Sequence, residues 1–222
     1  MVVLATKCYV SGDARERTLK SLRSLLDNAV GDLDVTVDVG LRDDGFPEVT
    51  LTGDDETVAA NLLAEEWGTI PDSFEVGETY VGTLDSWDED ALVLDAGRPI
   101  RIPSDELGLG PGDPESIRTR FGLVQHVPLT FVYDEPPRLA DSQRDELYDW
   151  QRGNGRVNVN SATRAEVRAT VNRAGHAQDI VTVERLGLLE QSIICAEDTD
   201  PPGLLAGIGE YLPAELLCVV PS

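Results

Sequence analysis

Lysine is almost missing from this sequence: Lys7 and Lys20 are the only two, and every other basic residue is an arginine. Cysteine is scarce as well. Cys8, Cys195 and Cys218 are odd in number, far apart and set in apolar runs, with no CxxC or Cys/His spacing. That excludes a disulfide framework and a zinc knuckle, and it predicts small buried hydrophobes. Histidine occurs twice, as His126 before an extended stretch and His176 in a turn, and neither joins a recognisable Ser, Cys or acid constellation. No catalytic residue is therefore expected. No run of about 18 apolar residues occurs, and the first residues show neither a basic region before an apolar core nor a cleavage site. The expectation is a cytoplasmic protein in a reducing compartment, with no membrane association.

Carboxylates dominate what is present. Asp plus Glu number 41 against 18 Lys plus Arg, a formal net charge of -23, and the acids are spread along the whole chain. In dilute buffer such a chain repels itself. In molar salt the Debye length shrinks to roughly 3 Å and the repulsion is screened. This points to a salt-accumulating, halophilic source; an acidic partner for a basic surface is the alternative. High salt also weakens phosphate binding driven by counterion release, so a nucleic-acid partner would need stacking, hydrogen bonds and shape. The acidic runs Asp43-Asp44, Asp54-Asp55-Glu56, Asp88-Glu89-Asp90 and Glu197-Asp198-Asp200 lack calcium-loop spacing and read as solvated surface, with no metal site. Gly203, Gly207 and Gly209 have no following Lys-Ser or Lys-Thr and sit in a helical stretch, so no nucleotide loop or other cofactor motif is expected.

The fold class predicted is α+β with a small β-barrel, in three units. In residues 1–72, 2–10 read as a buried strand, Ser11-Gly12-Asp13 as a helix start, and Leu19, Leu22, Leu25 and Leu26 as that helix's inner face. Strands at 34–41 and 48–52, turning at Asp43-Asp44-Gly45, and a helix carrying Leu63 and Trp67 complete an antiparallel sheet with two helices on one face. Residues 73–135 hold several short extended runs with one helix (114–121) before the last of them, the order of a five-stranded barrel of the oligonucleotide-binding (OB) type. Glu135-Pro136-Pro137 reads as a stiff linker. In residues 136–222 a polar helix (141–151) precedes strand-helix-strand-strand-helix-strand, the ferredoxin-like pattern.

Two sets of residues stand out as candidate nucleic-acid or ligand contacts. Arg152 and Arg156 flank Gly153-Asn154-Gly155, while Arg164 and Arg168 are one helical turn apart; guanidinium groups clamp phosphate or carboxylate bidentately. Pairing of these arginines with Glu166, Asp149 and other nearby acids is the other reading. The second set is aromatic: Tyr80, Trp87, Phe131 and Tyr133 are candidates for a stacking platform, or else for core and strand packing.

The central pattern of Val76-Gly77-Glu78, Gly82, Asp95-Ala96-Gly97, Ile102-Pro103 and Glu106-Leu107 resembles the RNA-binding S1 type of OB barrel. Asp90 and Val93 stand where that family's stacking aromatics usually do, which leaves the four aromatics above to supply another platform. Across its length the chain also resembles an uncharacterised archaeal family, domain of unknown function 2110, through Val183-Glu184-Arg185-Leu186-Gly187-Leu188-Leu189-Glu190 and the later Cys195, Asp200 and Gly203-Leu204. That resemblance implies an archaeal cytosolic protein and supplies no catalytic residues. The leading expectation is a non-catalytic protein that docks on RNA or on a nucleic-acid machine such as the ribosome or RNA polymerase. The alternatives are a sensor or enzyme with an anionic ligand at a domain interface, and a structural subunit making protein contacts.

Overall fold

The computed structural model describes residues 1–221. The N-terminal unit runs β1 (Val2–Val3), α1 (Gly12–Ala29), β2 (Thr36–Leu41), β3 (Pro47–Thr52) and α2 (Glu56–Trp67). Its sheet is antiparallel, ordered β1-β3-β2, with Val39 opposite Val49 and Val37 opposite Leu51. Alternation along β2 and β3 turns these valines toward one face, where Leu22 and Leu26 of α1 and Leu63 and Trp67 of α2 bury them. Arg42 and Phe46 close the hairpin, with Gly45 at φ 87° in the turn.

The strand predicted over 2–10 is corrected to two residues. Leu4 still donates to the Pro47 carbonyl, but β3 begins there, and beyond it the chain bonds singly to the turns at Gly68 and Gly45 instead of along a strand. Leu4 to Cys8 are nevertheless buried, because the other two units close over them. An apolar run enclosed on all sides by tertiary contacts has the same sequence pattern as a buried strand. Ser11 makes no side-chain cap bond to α1.

The central unit comprises β4 (Thr79–Trp87), β5 (Ala91–Asp95), β6 (Pro99–Pro103), α3 (Ser104–Leu107), α4 (Pro114–Phe121), β7 (Pro128–Val132) and β8 (Arg138–Leu139), followed by α5 (Asp141–Arg152). All pairings are antiparallel, in the order β6-β5-β4-β7-β8, and the sheet curls around Leu84, Leu92, Leu94, Ile102 and Phe131. The expected closed barrel is corrected to a half-barrel. Its end strands β6 and β8 approach each other without pairing. β6 carries a proline at each end, the mark of an edge strand, and β8 is only two residues long. The predicted linker Glu135-Pro136-Pro137 leads into β8, and α5 seats Leu147 and Trp150 in the core of the half-barrel. Gln143 of α5 accepts the Thr130 N–H at 2.8 Å, which fixes the helix against β7.

The C-terminal unit runs β9 (Arg156–Val159), α6 (Arg164–Arg173), β10 (Ile180–Arg185), β11 (Gln191–Cys195), α7 (Pro201–Gly209) and β12 (Leu216–Val219). Its antiparallel sheet is ordered β10-β11-β9-β12. Thr163 and Glu166 form a reciprocal capping box that starts α6. Val167, Val171, Leu204 and Ile208 pack on Val157, Val159, Ile193 and Cys195. The opposite face meets the half-barrel: Asn158 donates to the Gly122 carbonyl at 2.8 Å, and Val219 joins the central core. Cys8 and Cys195 are buried and Cys218 half-buried, all as free thiols.

Candidate functional site

Three of the four candidate aromatics come together. Tyr80 lies on β4, Phe131 on β7 and Tyr133 just past β7, held by backbone bonds from Tyr133 N–H to Glu78 and from Gly77 N–H to Tyr133. Phe74, which sequence reasoning missed, joins them: its ring centroid is 4.8 Å from that of Tyr80 and 5.0 Å from that of Tyr133. Phe131 is fully buried and belongs to the core, while Phe74, Tyr80 and Tyr133 are half-buried at the rim. Trp87 is elsewhere. Its ring carries the guanidinium of Arg118 at 3.9 Å, and Arg118 is buried between Glu115 and Glu215.

A second missed residue completes the cluster. Arg98, exposed in the turn between β5 and β6, lies over Phe74 at 4.4 Å and Tyr133 at 5.1 Å. Among the described residues it makes no ion pair. A guanidinium over aromatic faces contributes about 0.5–1 kcal/mol at exposed sites, and the contact survives salt better than a surface ion pair. The only sequence signal was Gly97-Arg98 itself, a turn that needs Gly97 at φ 81° and so throws the next side chain outward.

The four predicted arginines do not form one group. Arg152 is exposed and paired with Asp149 at 2.8 Å. Arg156 faces the half-barrel, 4.5 Å from the Trp150 ring, with Ser192 at 3.3 Å and Glu184 at 3.9 Å. Arg164 and Arg168 stand exposed on α6, which covers the opposite face of the sheet, and have no carboxylate partner among the described residues.

Beside the aromatics lie other cations, interleaved with Asp43, Asp44 and Asp72. Arg98, Phe74 and Tyr133 line a cleft of about 530 Å³ whose far wall includes Arg42. Arg42, bonded to Asp44 at 2.8 Å, also lines an adjoining cleft of about 420 Å³ with Lys7, Tyr9, Arg15 and His126. Lys7 is nearly buried, bonded to Asp95 at 2.5 Å and 4.9 Å from the Phe46 ring, so it ties the N-terminal unit to β5. His126 has φ 70° and lies 3.9 Å from Tyr9, centroid to centroid; its Nδ1 is buried without a partner among the described residues. Burial, and then the charge of Lys7, hold its pKa below the ordinary histidine value, so the ring is neutral at pH 7.

Behind this cleft a buried polar chain joins the first and last units. Tyr9 donates to Glu190 at 2.7 Å and accepts the Ser161 N–H at 2.8 Å, while Thr6 accepts the Leu188 N–H at 2.8 Å. Glu190 is wholly enclosed, and burial pushes its pKa up to about 8 against the opposing pull of the Tyr9 hydroxyl and the Leu189 N–H. Burial, with Glu190 alongside, raises Tyr9 above the usual phenol range. The pair is therefore neutral at pH 7, two hydroxyl-bearing groups sharing hydrogen bonds.

Among the described residues no cluster of three or more His, Cys, Asp or Glu is placed to hold a metal ion, and no helix is long and apolar enough to cross a membrane. The arrangement sets aromatic faces under a guanidinium that has no carboxylate partner among the described residues, beside a cleft lined by Lys7, Arg15 and Arg42 together with Asp43 and Asp44. Comparison with known families matches residues 1–73 to the DUF2110 N-terminal domain, 74–151 to the DUF2110 central domain and 154–220 to the DUF2110 C-terminal domain. No curated protein matches the sequence.

Proposed function

The chain belongs to the DUF2110 family, and on that footing we propose that it is a non-catalytic RNA-binding accessory protein of a salt-accumulating archaeon's cytoplasm. It holds single-stranded RNA at a nucleic-acid machine such as the ribosome or RNA polymerase. The observation that carries this reading is Arg98, without an ion-pair partner among the described residues and stacked over Phe74 and Tyr133 on the rim of the half-barrel. A base inserted beside these faces meets two rings and a guanidinium plane, and stacking of that kind contributes roughly 1–3 kcal/mol per base without depending on counterion release. Phosphates of the same strand then have Arg15 and Arg42 within reach in the adjoining cleft. The strand order of the central unit, with α4 between the third and fourth long strands, supports reading it as an S1-type OB barrel left open at one edge. The order β12-β9-β11-β10 with both helices on one face supports a ferredoxin-like C-terminal unit.

The test is fluorescence anisotropy of labelled oligonucleotides in molar KCl, with Arg98→Ala and Tyr133→Ala beside the unaltered protein. Each substitution is expected to weaken binding by about five- to tenfold, 1–1.4 kcal/mol. No binding by the unaltered protein at low or molar salt, together with purification from cells free of both RNA and its machinery, would refute the proposal.

A further inference from the structure

With 41 acids against 18 basic residues, the chain leaves few cations unengaged. Among the described residues every arginine reaches a carboxylate or another oxygen acceptor, save Arg98, Arg164 and Arg168. Arg98 lies over two aromatic rings instead. Arg164 and Arg168, both exposed on α6, make neither kind of contact.

Their positions work against the helix that carries them. Arg164 is the first residue of α6, at the positive end of the helix dipole, where an anion is favoured and a cation is not. Arg168 follows four residues later, and like charges at that spacing repel. Glu166, the one acid of α6, does not relieve them: its carboxylate is committed to Thr163 and to Arg17. An anion held by the two guanidinium groups, whose Cβ atoms are about 5–6 Å apart at this spacing, removes both penalties. The capping box already serves this helix end, so the side chains and not the backbone N–H groups are the contact atoms.

The surface around the pair is clear of acids. At 3.6 residues per turn Arg164, Ala165, Arg168, Ala169 and Asn172 fall on one face of α6, and all five are exposed. This face also adjoins the cleft beside the aromatics. Arg15 lines that cleft, while Arg17, two residues later and so on the other side of α1, reaches Glu166 in the first turn of α6 at 3.4 Å.

We propose that Arg164 and Arg168 form a second phosphate clamp for a single RNA strand, which runs from the Arg98 rim over the first turn of α1 and across the outer face of α6. The inference rests on the RNA reading and states how far along the strand the protein reaches. Crossing two helices of about 10–12 Å diameter puts the clamp roughly 20 Å from the cleft. At 3.4 Å per nucleotide that is about six nucleotides. Bidentate guanidinium bonds fit phosphate oxygens, and the exposed alanines between them let the strand lie close to the helix.

The experiment is fluorescence anisotropy with a labelled tetranucleotide and a labelled dodecanucleotide, from about 0.3 to 2 M KCl. It compares the unaltered chain with Arg164→Gln/Arg168→Gln, Arg164→Lys/Arg168→Lys and Arg152→Gln. The glutamine pair should weaken the dodecanucleotide about tenfold at the low-salt end. It should also make the slope of log affinity against log salt shallower by about 1.4, two single-strand phosphates at roughly 0.7 each. The tetranucleotide should be unaffected, the lysine pair should keep the slope, and Arg152→Gln, whose guanidinium is already paired with Asp149, should change neither. The Tm of the glutamine pair should not fall, because a like-charge pair has been removed. Binding of both lengths with the slope untouched by the glutamine pair, or an equal loss with Arg152→Gln, overturns the clamp and leaves the RNA reading standing. Failure of either length to bind the unaltered chain at any salt removes that reading and the clamp with it.

Discussion

Replacing Glu190 by glutamine removes one ionisable proton from the place where the first unit meets the last, and nothing else of comparable size. The folded protein keeps that proton up to about pH 8, whereas an unfolded glutamate releases it near 4.5. Between those limits the folded form holds a proton that the unfolded form has given up, so raising the pH favours unfolding. The slope approaches 1.4 kcal/mol per pH unit and the whole window is worth about 5 kcal/mol. Stability from this group is thus complete below pH 4.5, declines through neutrality and is gone above pH 8. His126 has the opposite sign: its depressed pKa makes stability rise with pH up to about 6.5, partly masking Glu190 in acid. A difference between two proteins removes that mask. Glutamine retains an oxygen to accept from Tyr9, so the contact survives and the titration does not. Denaturant unfolding of both proteins at pH 5 to 9 in molar KCl is the assay. The unaltered protein should be the more stable at pH 5 and the less stable at pH 9. Two stability curves that stay parallel across the range would refute the burial and protonation assigned to Glu190.

Other substitutions separate core from rim and backbone from side chain. Phe131→Ala should cost about 3–5 kcal/mol, read from the denaturation midpoint, while Tyr133→Ala at the half-buried rim costs about 1 kcal/mol and acts mainly on oligonucleotide affinity. Gly68→Ala places a Cβ 2.7 Å from the Val81 side chain at a φ of 68°; a loss of about 1–3 kcal/mol is expected, visible as a lower Tm, and an unchanged Tm would contradict the close approach. Thr163→Ala breaks the capping box of α6 and should cost about 1 kcal/mol, with Thr163→Ser recovering most of it.

Local signals explain what was legible beforehand. Helices α1 and α2 follow from apolar spacing, and α6 and α7 from Thr163 and Pro201 at their starts, whereas the cap that Asp200 provides for α7 shows only in the structure. Their partner strands follow from alternation. What escaped detection depends on long-range geometry. A two-residue strand such as β8 has no periodicity to read. Phe74, Arg98 and Tyr133 meet only because β4 and β7 pair in the register that puts Thr79 opposite Val132, and nothing in one sequence fixes that register. Tyr9 and Glu190 are 181 positions apart, and each alone reads as an ordinary strand-end residue. The arginines show the converse: Arg156 and Arg164 are close in sequence, and an intervening sheet separates them.

The seven residues Leu4 to Val10 have a consequence for any attempt to dissect the molecule. They satisfy hydrogen bonds or fill space against Gly68, Asp95, Ser161, Leu188 and Glu190, so they behave as a keystone cut to fit three stones at once. Expressed separately, the three family segments would each carry away a face shaped for a partner no longer there. Withdrawing the keystone alone would loosen all of them together.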